Sequence, residues 1–189
     1  MTKLNTLKND IPLPIRLFLG KALLFFIIWK IVYGVFLYNS GILDYPLTTH
    51  VAKASTFVLN NSGMSGFTTN RIEIGDGISS EIYHNDRLVL FVADVCNGLE
   101  LMILYIGFII CMPSSFWRKV KYILIGIIII DLINILRCSG LIYLREYFHA
   151  YFDFAHHYLF KAVVYGVTFI MWIKYSRKIS LKNEAVQVG

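Results

Sequence analysis

Charge is scarce in this sequence: Asp, Glu, Lys and Arg make up 16% of its 189 residues, against 57% hydrophobic and 15% aromatic, and the mean hydropathy is +0.61. A chain so poor in charge cannot clothe an ordinary soluble domain, and its composition places it in a bilayer. Glycine-rich phosphate loops, a Walker-type lysine and a dinucleotide fingerprint are all missing, which argues against nucleotide-driven transport. Repeats and low-complexity stretches are also missing. The formal net charge is +6, yet no basic face is clustered on a soluble stretch, so no nucleic-acid partner is expected. Two adjacent His without further Cys or His close by make a poor ligand set, and neither a metal nor a cofactor is expected.

What the sequence does have is hydrophobic blocks. At 1.5 Å rise per residue, roughly 20 apolar residues in a helix cross about 30 Å of hydrocarbon. The blocks run from about Leu17 to Leu37, Gly98 to Met112, Tyr122 to Leu136 and Tyr158 to Tyr175. They predict an all-α membrane protein of about four transmembrane helices rather than a barrel. The first block carries Lys21 and Lys30, but it is long for a signal-peptide core and no small-x-small cleavage site follows, so it reads as a retained span. The second and third are short and call for tilt or local thinning of the bilayer.

Basic residues in short loops stay on the cytoplasmic side. Lys3, Lys8 and Arg16 precede the first block; Arg118, Lys119 and Lys121 lie between the second and third; Lys174, Arg177, Lys178 and Lys182 close the chain. With four spans all three clusters fall on one side, so both termini are expected in the cytoplasm. The segment from Asn39 to Asn97 is richer in acids and belongs outside. Within it, Leu47 to Leu59 reads as an amphipathic helix lying on the membrane. Arg71-Ile-Glu-Ile and Glu81-Ile-Tyr-His alternate about Gly75-Asp76-Gly77 as a small β-hairpin. Arg87 to Val95 reads as a strand or an extended lead-in to the second span. Met1 to about Asn9 and Leu181 to Gly189 are expected to lack order. Tyr143, Tyr147, Phe148, Tyr151 and Phe152, with Trp172 and Tyr175 at the other end, read as interfacial belts.

The chemistry concentrates in three places at one depth. Cys96-Asn97-Gly98 opens the second span, Asn134-Ile135-Leu136-Arg137 closes the third, and His156-His157-Tyr158 opens the fourth. In a bundle of antiparallel neighbours these ends converge. A thiol is a strong nucleophile as thiolate, which a nearby cation or imidazole favours. A His can take and return the proton, and an Arg can bind the oxyanion that forms when a carbonyl is attacked. Gly98 would let another chain approach closely. Together these groups suit acyl transfer through a thioester. Plainer readings stand beside this one. Cys96 can be a small hydrophobe or a disulfide partner of Cys138, Arg137 can snorkel to the interface, the His pair can be polar caps, and Cys111 reads as filler.

The set Cys-x-Gly (CNG), Asn-x-x-Arg (NILR) and His opening the last span (FAHHYLFKAVVY) resembles the exosortase/archaeosortase family of membrane-embedded cysteine transpeptidases, over roughly Asp86 to Tyr175. The resemblance implies that Cys96, Arg137 and one of His156 and His157 form the active site. It also implies a substrate: an exported protein whose C-terminal sorting signal comprises a short motif, a hydrophobic helix and a basic tail. The acyl group would pass to water or to an envelope polysaccharide or lipid acceptor. Many family members have about eight spans, so this chain reads as a reduced form, and Asn97 stands where the family commonly has Ser or Ala. The family pattern favours His156, whereas helical spacing sets His157, Lys161 and Tyr165 on one stripe. Glu100 or Asp131 is expected to pair with Arg137 and aim it at the thiol, with Asn97, Gly98 and Asn134 in support. The chain thus divides into a cytoplasmic N-terminus (1–16), a first transmembrane helix (17–38), an extracytoplasmic segment (39–95), a three-helix catalytic core (96–175) and a cytoplasmic tail (176–189). The competing reading is a non-enzymatic assembly factor or transporter subunit, whose polar residues serve packing.

Overall fold

The computed structural model describes residues 12–38, 40–74 and 77–177. The ends expected to lack order, and Gly75-Asp76 of the expected hairpin turn, lie outside the described residues. Helix α1 (Leu13–Val32) begins with a proline in its first turn, where the missing N–H costs nothing, and runs into a π-turn, Tyr33–Leu37. Helix α2 (Asp44–Asn61) stops before Gly63, whose φ of +88° turns the chain out of the helix. Strands β1 (Phe67–Ile74), β2 (Gly77–His84) and β3 (Arg87–Ala93) form an antiparallel meander. A 3₁₀ turn (Asp94–Cys96) leads into helix α3 (Leu99–Cys111). Helix α4 (Phe116–Tyr147), a short α5 (His149–Phe154), a second π-turn (Ala155–Leu159) and α6 (Phe160–Ser176) complete the order.

Two cores result. Helix α3 packs against α1, α4 and α6, and Tyr105, Ile109, Ile130 and Tyr175 are buried where α3, α4 and α6 meet. Gly126 is indispensable there, because the Tyr105 ring occupies the space a Cβ would need. The second core lies between α2, the sheet and the later turns of α4, and joins Val51 and Leu59 to Ile82, Val92, Cys138 and Ile142.

Several expectations change. The hairpin is a three-stranded sheet, because Asn85 (φ 49°) and Asp86 (φ 66°) form a second two-residue turn of the left-handed kind that short polar residues tolerate. Helix α2 extends beyond the expected Leu47–Leu59 at both ends, and its buried face, with Val51, Ala52, Ser55 and Leu59, packs on α4 and the sheet. Helix α4 does not end near Leu136 but continues to Tyr147, since Cys138, Ser139, Leu141 and Ile142 are buried in its later turns. Arg137 is therefore within a helix rather than at its end. The four hydrophobic blocks are helical, yet among the described residues length and composition mark only α4 as a candidate span. Helix α1 has 20 residues but carries Arg16, Lys21 and Lys30; α3 has 13 residues and α6 has 17. Four spans are thus not established by helix length and composition.

Candidate active site

The chain leaves β3 through the 3₁₀ turn ending at Cys96 and starts α3 after Gly98. Gly98 has φ +85°, a left-handed conformation that a side chain would strain by roughly 1–2 kcal/mol. Its nearest neighbour is Asn134, which a Cβ would meet at an ordinary 3.4 Å. The backbone angle, not the approach of another chain, is what requires glycine here.

Two helices clamp this turn. From α4, the Asn134 amide donates to the Cys96 carbonyl at 2.9 Å. From α2, Asp44 and Thr48 receive Asn97, whose Nδ2 donates to Asp44 Oδ1 at 2.7 Å and to Thr48 Oγ1 at 3.5 Å. The Oδ1 of the same Asn97 accepts the Leu99 N–H at 2.8 Å, so one side chain serves an otherwise orphaned donor at the start of α3. Tyr33 from the π-turn after α1 donates to Asp44 Oδ2 at 2.8 Å, and Thr48 donates to Asp94 Oδ1 at 2.7 Å. Asp44 and Asn97 are almost fully buried, as buried polar groups can be when their partners are in place.

Cys96 is half-buried, and its side chain rests against the core of α2 and the sheet. One turn beyond Asn134, Arg137 brings Nη2 to 3.8 Å from Cys96 Sγ. At that distance the guanidinium can donate to the sulfur. The expected acidic partners of Arg137 are engaged elsewhere: Glu100 pairs with Lys30 at 3.2 Å, and Asp131 with His50 at 3.0 Å. Among the described residues no carboxylate pairs with Arg137, and its Nε is buried without a hydrogen-bond partner. The three cysteines are free thiols, with no bond between Cys96 and Cys138.

The two histidines differ. His157 is exposed, and its Nδ1 lies 2.9 Å from the Asp153 carbonyl. His156 is half-buried and stacks on Phe152 with centroids 5.7 Å apart. Burial lowers its pKa from the ordinary 6.5, and the positive neighbours His157, Arg137 and Lys161 add to the effect. Among the described residues no hydrogen bond joins either His to Cys96 or Arg137. Both histidines lie on the π-turn that precedes α6, and Lys161 stands on the first turn of α6.

Beside these groups opens a cavity of about 490 Å³. Asn97, Gly98, Asn134 and Arg137 line it, with Lys161 and Tyr165 from α6. Cys96 and the two histidines are not among its lining residues; of the expected Cys-Arg-His set, Arg137 alone faces it. Sequence reasoning found Cys96, Asn97, Gly98, Asn134 and Arg137 but missed Asp44, Thr48, Asp94 and Tyr33. Asp44 meets Asn97 across 53 positions, and nothing local announces the pairing.

A family model described as transmembrane exosortase (Exosortase_EpsH) matches residues 14–173. No curated protein and no solved structure matches the chain.

Proposed function

The chain belongs to the transmembrane exosortase family, and from that premise we propose that it is a cysteine transpeptidase that cleaves the C-terminal sorting signals of exported proteins. The observation that carries this reading is Arg137: its guanidinium lies 3.8 Å from the Cys96 sulfur and, among the described residues, has no carboxylate partner. A structural arginine would be neutralised; one left open can bind a developing oxyanion.

In the proposed reaction the Cys96 thiolate attacks the carbonyl carbon of the scissile peptide bond, the thiol proton having passed to His156. Arg137 donates to the oxygen as it becomes negative. When the C–N bond breaks, His156 returns the proton to the departing amine and a thioester remains. Water or an acceptor amine then attacks the thioester, giving up its proton to His156, and the thiolate is regenerated. The acceptor is an envelope polysaccharide or lipid derivative bearing that amine. His156 is assigned over His157 because it is half-buried and burial lowers its pKa, which favours the neutral base.

The same proposal places α1, α3, α4 and α6 across the bacterial cytoplasmic membrane, with the sheet and Cys96 on the outer side and both termini in the cytoplasm. Apolar side chains such as Leu23, Ile31, Leu132, Leu136 and Phe169 face outward on three of these helices, as lipid contact requires. Charge asymmetry supports the orientation: Arg118, Lys119, Lys121 and Lys174 lie at the ends away from the sheet.

The test is Cys96→Ser in cells, read by the C-termini of envelope proteins. Exported proteins ending in a hydrophobic helix and basic tail should retain that tail in the variant. Normal trimming in the variant, with the protein present at wild-type level, would overturn the enzyme reading in favour of a non-enzymatic assembly role.

A further inference from the structure

Further along the same helices from the cavity at Arg137 lies a second hollow, of about 160 Å³, walled by Phe25 and Phe26 of α1, Leu104 and Phe108 of α3 and Trp172 of α6. The upper cavity draws on the same three strips of chain: Tyr33 just past α1, Leu101 on α3, and Lys161 and Tyr165 on α6. On α3 the step from Leu101 to Leu104 is less than one turn, and on α6 Tyr165 to Trp172 is two turns, about 10 Å. The two hollows therefore follow one line, a furrow floored by α3 between α1 and α6. Its upper part brings Asn134, Arg137 and Lys161 to a mixed polar and apolar wall beside Cys96, and every residue lining the lower part is apolar or aromatic.

We propose that this furrow receives the hydrophobic C-terminal helix of the substrate, which enters sideways from the lipid and presents the segment just above it to Arg137. The proposal rests on the reading of Cys96 as the nucleophile. Continuity is the first argument: a chain anchored by a membrane helix can put the peptide bond above that helix at Arg137 if the helix stands directly below, and the furrow occupies that place. Charge is the second. The upper cavity has Asp94 and Glu100 in its wall together with Arg137 and Lys161. Mixed donors and acceptors suit a peptide backbone, whereas a lipid phosphate in the same space would face two carboxylates.

The experiment uses the full-length Cys96→Ser variant in native membranes, with a photoreactive phenylalanine analogue at Phe26 or Leu104 on the furrow and, separately, at Leu124 or Leu132 on the outward side of α4. The expected result is adducts, from the furrow positions alone, to the C-terminal helices of the same proteins that stay untrimmed in Cys96→Ser cells. Adducts to lipid only, or equal adducts from α4, would overturn the furrow while leaving the Cys96 reading intact; unaltered C-termini in Cys96→Ser cells would overturn that reading whatever the adducts. A second variant keeps the test independent of cross-linking. Leu104→Trp, at a position 41% exposed, fills the furrow. It should cut processing at limiting substrate about tenfold while leaving the labelling rate of Cys96 by a small thiol reagent within about twofold. Undiminished processing would refute the furrow.

Discussion

Asp44 offers the sharpest check on how the Cys96 turn is held. It is 4% exposed, and its two oxygens accept from Asn97 Nδ2 at 2.7 Å and Tyr33 Oη at 2.8 Å. Asp44→Ala removes both acceptors and leaves Asn97 Nδ2 with only the long contact to Thr48 at 3.5 Å. A hydrogen bond to a charged group contributes about 1.5–3 kcal/mol, and a buried donor left unmatched costs about 1–3 kcal/mol. Relief from burying the carboxylate offsets part of this, so the expected net loss is about 3 kcal/mol. For a chain of this size that corresponds to a fall in Tm of about 6–12 °C. Asp44→Asn keeps one acceptor and should lose about half as much. Because Asn97 follows Cys96 directly, the turn should also loosen, and Asp44→Ala should speed labelling of Cys96 while slowing processing. The measurements are thermal unfolding in detergent, the rate of thiol labelling, and a double-mutant cycle with Asn97→Ala, whose coupling should reach about 1–3 kcal/mol. A Tm shift below about 2 °C with unchanged labelling would refute the claim that Asp44 holds this turn.

Gly98→Ala should lower stability by roughly 1–2 kcal/mol through backbone strain alone, measured by thermal unfolding; Gly98→Asn, which tolerates φ near +85°, should lose less. His156→Ala should abolish processing while His157→Ala leaves most of it, read by the C-termini of processed proteins. With a base whose pKa is held below the ordinary 6.5 by burial and then by positive neighbours, processing falls as pH drops through that lowered value. Lys161→Met removes one of those positive neighbours, makes the imidazolium easier to form, and should move the acid limb of the pH–rate profile to higher pH. A limb that stays put or moves the other way would remove His156 from the base role.

The hydrophobic blocks were legible as helices because an apolar run is a local property, and the first hairpin was legible because alternation is local too. The third strand carried a readable signal in Asn85-Asp86, the short polar pair that forms its turn. Other features had none. That α4 runs on past Arg137 depends on α2 and the sheet covering Cys138 and Ile142, and those partners come from sequence positions far away. The electrostatic partners were misassigned for the same reason. Glu100 sits near Cys96 and Asp131 near Arg137 along the chain, but Lys30 and His50 reach them across 70 and 81 positions.

By itself, then, the sequence determined a bilayer-compatible composition, the helical character of the hydrophobic blocks and the candidate groups at Cys96 and Arg137, since each follows from residue type and order along the chain. Only the tertiary structure decided that Arg137 has no acidic partner among the described residues, that Asp44 anchors the Cys96 turn, and that a furrow descends beside Arg137. Each of those depends on which distant side chains are packed together. In a chain this apolar, many arrangements bury the hydrophobic faces about equally well, and the few polar contacts, which a period cannot predict, pick out one of them.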